Sequence, residues 1–288
     1  MEILTDSDSM RRWSWAMRSK GKTVGLVPTM GKLHDGHLSL VRGSLRECDV
    51  TVTSIFVNPT QFGANEDLDR YPRDLDGDRR LLEREGCHAL FTTTPEKMYP
   101  KGFETWVIVD KLPRHLCGLK RIGHFRGVTT VVTKLFNIVS PDRAFFGWKD
   151  AQQALIIRRM VQDLNMQTEI RIMPIIRDEQ GLALSSRNAF LSPAEHRVAL
   201  RIPRAVELAK EHYRSGGRDG RELLRQLTAH FHGIDGLAVD YISLVRIEDL
   251  EDTDVLGPGT VLALAVFVGD TRLIDNCRFH DEPYRSKR

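Results

Sequence analysis

The sequence predicts an α/β protein: a Rossmann-like, doubly wound parallel sheet followed by a smaller α+β domain at the C-terminal end. Apolar, β-branched runs alternate with helix-spaced segments through the first two thirds of the chain, and such a series needs parallel strands joined by helical crossovers. The last third changes to helices followed by adjacent strands, the order of a separate α+β unit. With 288 residues, 41% hydrophobic and 28% charged, the chain is large enough for two domains and has an ordinary globular composition.

TVGLVPT (23–29) is a short apolar run closed by Pro28 and Gly31, hence a buried strand. HLSLVRGSLREC (37–48) puts Leu38, Val41, Leu45 and Cys48 on one helical face. DVTVTSIFVN (49–58) is a strand that Asn58 and Pro59 end. DLDGDRRLLEREG (74–86) is a charged helix ending at Gly86, and HALFTT (88–93) is the next strand. GVTTVVTKLFNIVSP (127–141) carries Val128, Val131, Val132, Leu135, Phe136 and Val139 at helical spacing before Pro141. DRAFFG is a strand, DAQQALIIRRMVQDL (150–164) a helix and TEIRIMPIIR (168–177) a strand. Beyond these, residues 193–217 form one or two helices, broken or started near Pro203, and GRELLRQLTAHFHG forms another. DYISLV, TVLALAVFVG and TRLIDNCRF are strands, with a hairpin turn at Gly269 and Asp270. The composition break near 180–192 divides the chain into domains 1–180 and 181–288.

The formal charge of +3 does not suggest a nucleic-acid partner, and the basic tail YRSKR is read as a solvated end. The longest apolar stretch, 260–269, is too short to span a bilayer as a helix, so no membrane partner is expected. The N-terminal MEILTDSDSM is unlike a leader peptide. Cys48, Cys87, Cys117 and Cys277 lie far apart with no CxxC spacing, which suits reduced thiols and a cytoplasmic location.

Doubly wound sheets bind ligands at the carboxyl ends of their strands, and four motifs fall there. In LVPTMGKLHDGHLSLV (26–41), a helix opening at Gly36 and His37 would aim backbone N–H groups and its positive dipole end at the loop. His34 and His37, three residues apart, would share a face and stabilise charge building on a transferring phosphoryl group. A metal-binding pair and a plain polar loop are the rival readings. In FGWKDAQQ (146–153), Lys149 would stand beside phosphates, and Gln153 lies one helical turn further on. Asp150 there either caps the helix or accepts from a ribose. In LALSSRNAFLS (182–192), Ser185, Ser186 and Arg187 offer hydroxyl and guanidinium donors, or simply a helix cap and a surface arginine. In NPTQFG (58–63), Gln61 presents both a donor and an acceptor, against the alternative of an ordinary turn.

Together and in this order, with YPRD, RIGHFRGVTTVVTKLFNIVSPDRAFFG and KDAQQALIIRRMVQDLN between them, these motifs resemble the pantothenate synthetase (pantoate–β-alanine ligase) family. That family belongs to the nucleotidyltransferase superfamily, with the class I aminoacyl-tRNA synthetases and their HIGH signature, and the similarity covers nearly the whole chain. The resemblance implies that pantoate is adenylated by ATP with loss of pyrophosphate, and that β-alanine then displaces AMP to give pantothenate. It implies an ATP site of Met30, Gly31, Lys32, Leu33, His34, Asp35, Gly36 and His37, completed by Gly147, Trp148, Lys149 and Asp150, by Ile176, and by Leu184, Ser185, Ser186 and Arg187. His37, His34, Lys149 and Arg187 would act on the phosphates. Gln61 and Gln153 would hold pantoate, with Gln61 also close to β-alanine. Mg²⁺ would accompany ATP, held mainly by phosphate oxygens and water, with Asp78 the one assigned protein ligand. A C-terminal lid that excludes water and a homodimer are implied as well. The chain departs from the family pattern at Trp148, where Glu or Gln is usual, at Ala151, usually aromatic, and at Gly77 between Asp76 and Asp78. Two other functions share part of the pattern. A transferase moving AMP or CMP onto a phosphorylated small molecule would share HxGH but not NPTQFG or KDxQQ. A catalytically silent nucleotide sensor would bind ATP without turnover.

Overall fold

The five strand-like runs of the first two thirds fold as β2 (Val24–Thr29), β3 (Val50–Ile55), β4 (Ala89–Thr92), β5 (Arg143–Gly147) and β6 (Glu169–Met173), and a short β1 (Glu2–Leu4) precedes them. This computed structural model describes residues 1–63, 66 and 68–279. The basic tail therefore lies outside the described residues. The strands form one six-stranded sheet in the order β1-β4-β3-β2-β5-β6, and every neighbouring pair is parallel. The helices are α1 (Ser7–Arg18), α2 (Asp35–Glu47), α3 (Leu75–Glu85), the single turns α4 (Pro95–Met98) and α5 (Cys117–Lys120), then α6 (His124–Val139) and α7 (Ala151–Asp163).

Side chains alternate across a strand, so both faces of a doubly wound sheet need apolar cover. In β2, Val24 and Leu26 enter one core with Met10 and Trp13 of α1 and Val128, Val132 and Leu135 of α6. Val27 enters the opposite core with Leu38 and Val41 of α2, Leu82 of α3 and Phe145 of β5. The helix stops expected from sequence are present: Gly86 adopts a left-handed φ of 81° after α3, and Ser140 one of 47° after α6. The sequence reading had no counterpart for β1 and α1. Asp6 caps α1 by accepting from the Ser9 amide at 2.8 Å, a signal in DSDSM that its polarity masked.

The chain divides into two units. The first holds the sheet; the second holds Arg114–Leu116, Lys149–Gln152 and the chain from Pro174 onward. The division thus falls at Met173 and Pro174, where β6 ends, whereas the composition break placed it at 180. In the second unit, α8 (Pro193–Ala199), α9 (Arg201–Arg214) and α10 (Gly220–Phe231) precede β7 (Leu237–Arg246), β8 (Thr260–Val268) and β9 (Thr271–Arg278). These strands make a three-stranded antiparallel sheet. Pro203 sits in the first turn of α9, where its missing N–H leaves no intrahelical bond unmade. Gly269, with φ 54°, makes the expected hairpin turn. Ile202, Val206, Leu223, Leu227, Leu244, Leu262 and Leu264 fill this unit's core. Arg177 and the fully buried side chain of Asp275 form a two-pronged ion pair at 2.6 and 2.8 Å. Among the described residues no disulfide joins the four cysteines.

Gly25 lets β2 and α2 pack without a side chain between them. A Cβ there would stand 2.1 Å from Ser44 Oγ and 3.0 Å from Cys48 Sγ. Gly25→Ala is therefore expected to destabilise the protein by roughly 1–3 kcal/mol through overpacking, read as a lowered urea midpoint at unchanged slope.

Candidate active site

The strand order reverses at β2. From it the chain moves outward through β3 and β4, then returns to lay β5 on β2's other edge. Ligands of doubly wound sheets bind outside the carboxyl ends at such a switch point. HDGH follows the end of β2, and Phe146 and Gly147 of FGWKD end β5.

Helix α2 begins at Asp35, earlier than the Gly36–His37 start read from sequence, because His34 serves as its cap. His34 Nδ1 accepts from the Gly36 amide at 3.1 Å, and His37 Nδ1 accepts from the His34 amide at 3.4 Å. The His37 amide donates to the His34 carbonyl at 2.8 Å. The amides of Gly36 and His37 are thus occupied within the motif, which corrects the expectation that they point unoccupied at a ligand. With Nδ1 of each ring accepting, the neutral ring carries its proton on Nε2. The ring centroids are 4.1 Å apart. The rings are tilted by 38°, and the positive end of a helix, where they sit, suits an anion. Asp35 is exposed and reaches Arg42 at 3.4 Å.

The turn before the pair is left-handed twice over, with φ 88° at Gly31 and 51° at Lys32. Its next two amides donate to one carboxylate: Lys32 N–H to Asp78 Oδ2 at 2.8 Å and Leu33 N–H to Asp78 Oδ1 at 2.7 Å. Asp78 is only 2% exposed. Burial pushes its carboxyl pKa above the ordinary value, against the pull of the two amides.

Gln61 ends a 3₁₀ turn after β3. Its Nε2 donates to Met30 Sδ at 3.2 Å and its Oε1 accepts from Asn58 Nδ2 at 3.1 Å, which brings it to the HDGH loop. Its backbone carbonyl accepts from His124 Nδ1 at 2.7 Å and from Arg121 Nη2 at 3.3 Å. Arg121 Nη1 lies 3.0 Å from His124 Nε2, and its other edge grips both oxygens of Glu66 at 2.6 and 2.7 Å. Burial works against the Glu66 carboxylate, but Arg121 outweighs it and holds the pKa below the usual range. Tyr99 donates to Asn58 Oδ1 at 2.8 Å. Asn58, Tyr99, Glu66, Arg121 and His124 went unnoticed as site residues. The Arg-x-x-His spacing in RIGHFRG, just before an apolar helix, was the available signal.

Gly147 ends β5, and Trp148–Asp150 make one 3₁₀ turn before α7. Trp148 is buried at 6% exposure, Lys149 is half-buried and Asp150 exposed. Trp148 therefore faces a packed interior, and Ala151 is buried too. Gln153 is half-buried on α7. In the second unit, the Lys149 carbonyl accepts from Asn276 Nδ2 at 3.0 Å. There, too, the Leu184 amide donates to the Ile176 carbonyl at 2.9 Å, so two expected ATP contacts adjoin. Ser185 Oγ accepts from the Arg187 amide at 3.3 Å and caps the turn Ser186–Phe190, the structural role weighed for it. Asn188 Nδ2 ties that turn to the Ala183 carbonyl at 3.1 Å.

The family model described as pantoate-beta-alanine ligase matches residues 2–278. Pantothenate synthetase of Thermotoga petrophila is 51% identical over 276 residues, covering 96% of this chain and 99% of the relative. That of Pelotomaculum thermopropionicum is 54% identical over 277 residues, covering 96% and 98%. The crystal structure of pantothenate synthetase from Thermus thermophilus superposes with a TM-score of 0.92 at 41% identity, over 98% of this chain and all (100%) of that one. Pantoate-beta-alanine ligase from Francisella tularensis, complexed with beta-gamma ATP and beta-alanine, gives a TM-score of 0.79 at 31% identity, over 99% and 100%.

The reciprocal cap makes a spectroscopic prediction. Long-range ¹H–¹⁵N correlation spectra at a pH where the rings are neutral should show His34 and His37 both as the Nε2–H tautomer. An Nδ1–H tautomer at either ring would contradict the cap.

Proposed function

The chain belongs to the pantoate–beta-alanine ligase family, and on that premise we propose that it makes pantothenate from (R)-pantoate, β-alanine and ATP through a pantoyl-adenylate. A pantoate carboxylate oxygen attacks the α-phosphorus, the bond to the β-phosphate oxygen breaks, and pyrophosphate leaves. The amine of β-alanine then attacks the acyl carbon. A C–N bond forms, the C–O bond to AMP breaks, and the nitrogen loses a proton. A free carboxylate is a poor acylating agent, and adenylation supplies the leaving group.

The observation that supports this most is the imidazole pair at the switch point, both rings fixed with Nε2 as donor. His37 stabilises charge on the phosphates and His34 supports it. Met30 to His37 bind ATP together with Gly147, Trp148, Lys149, Asp150, Ile176, Leu184, Ser185, Ser186 and Arg187. Lys149 and Arg187 meet the phosphates. Gln61 and Gln153 hold pantoate, and Gln61 also lies near β-alanine. Among the described residues no group of three or more His, Cys, Asp or Glu could hold a metal ion, and both oxygens of Asp78 accept from amides. We propose that Mg²⁺ enters on the phosphates of ATP with water as its remaining ligands. No described helix is long and apolar enough to cross a membrane. A cytoplasmic homodimer with small-molecule substrates and no nucleic-acid partner completes the proposal.

Incubation with ATP, Mg²⁺ and (R)-pantoate, with and without β-alanine, tests the reaction by mass spectrometry of pyrophosphate, AMP and pantothenate. Pantothenate is expected only with β-alanine; folded protein that binds ATP and makes none would refute the ligase. His37→Ala should slow pyrophosphate release about 10²-fold or more, and a near-normal rate would remove His37 from the mechanism. Gln153→Ala should raise the pantoate KM, so an unchanged KM would sink that role.

A further inference from the structure

A buried carboxylate whose two oxygens both face peptide N–H groups calls for a reason, since burial penalises its charge. Asp78 lies in the first turn of α3, next to Asp74, which caps that helix by accepting from the Gly77 amide at 3.0 Å. Its partners stand 45 and 46 residues earlier in the chain. Two successive amides around a left-handed residue form an anion-binding concavity. Here the anion is part of the chain. The fit is close: a Cβ at Gly31 would stand 3.0 Å from Asp78 Oδ2 and 3.1 Å from Ile55 Cγ2. Lys32, a residue with no preference for positive φ, is held at 51° by this arrangement, and its Nζ reaches Asp74 at 3.4 Å. The residue after Leu33 is His34, whose backbone and ring build the imidazole cap.

We propose that Asp78 is a positioning residue: its carboxylate fixes the turn of residues 31–33 and thereby the place and direction of the His34–His37 pair. It rests on the ligase reading for its kinetic consequence but not for its structural one. The amides of Lys32 and Leu33 belong to Asp78, so the phosphates of ATP are met by the imidazole edges and not by these two N–H groups. A misplacement of about 1 Å at a reacting group can cost 10²-fold in rate, so loosening the turn reaches chemistry without any contact between Asp78 and substrate.

Two measurements test this. In the wild-type protein, the ¹H shifts of the Lys32 and Leu33 amides should follow one carboxyl titration as pH is lowered, moving together. Amides that do not titrate, or titrate apart, overturn the proposal whether or not the protein makes pantothenate. In Asp78→Asn, one amide loses its acceptor and faces an NH₂ donor instead. Hydrogen exchange at Lys32 and Leu33 should quicken at least tenfold, kcat should fall at least tenfold and the ATP KM should rise, while the pantoate KM stays within about twofold. A merely less stable protein would lower Vmax with both KM values unchanged and would overturn the proposal. Unchanged exchange with a raised Mg²⁺ requirement would also overturn it, returning Asp78 to the metal. Wild-type protein that makes no pantothenate fails the ligase reading alone, and the amide measurements still decide the role of Asp78.

Discussion

Pairing of β2 on both edges is the constraint on which the site depends. With β3 on one side and β5 on the other, the carboxyl ends of three strands stand side by side, and the loops leaving them cannot diverge. Right-handed crossovers then carry α2 to one face of the sheet and α6 to the other. Gly25 permits the close approach of α2 at the start of the strand, and the loop at its end delivers the histidines. The position of Gln61 follows from the same pairing, since β3 ends beside β2 and its 3₁₀ turn reaches back to Met30.

The elements legible in the sequence were those whose signal is local. The aliphatic run 23–29 and the helix spacing of 127–141 declare themselves without help from the rest of the chain. Boundaries slipped where an unusual group performs a common task. His34 caps a helix, a role normally filled by Ser, Thr, Asp or Asn, so α2 starts earlier than its apolar pattern suggests. Helix α1 opens in a polar stretch in which Met10 and Trp13 are the buried anchors, and the exposed Trp15 beside them blurs the apolar stripe. At the site, residue types were legible but roles were not. The family resemblance implies Asp78 as a metal ligand, and nothing local in the sequence reveals the two amides it accepts from. Arg121 and His124 act on a carbonyl 60 and 63 residues away, a relation that no window of sequence displays.

Half-buried polar groups in the first unit serve as geometry rather than glue. The ion pair of Glu66 and Arg121 does not end on itself: Arg121 also faces His124, and both meet the Gln61 carbonyl. Such networks hold one arrangement because each member is satisfied only when the others are in place. In the second unit, Arg177 plays a comparable part, since it joins Asp275 and also donates to the Gly181 carbonyl at 2.9 Å. That bond closes the turn between Ile176 and Leu184.

The two layers of support beneath the imidazoles also differ in when they can form. The bonds of the cap span two and three residues, so they arise as α2 winds, on the helix–coil scale of roughly 0.1–1 μs. The bonds to Asp78 close a loop of 45 residues and must await assembly of the sheet, because long loops carry their closure entropy before any contact compensates it. The folding chain thus acquires the shape of its histidine pair early and its orientation late.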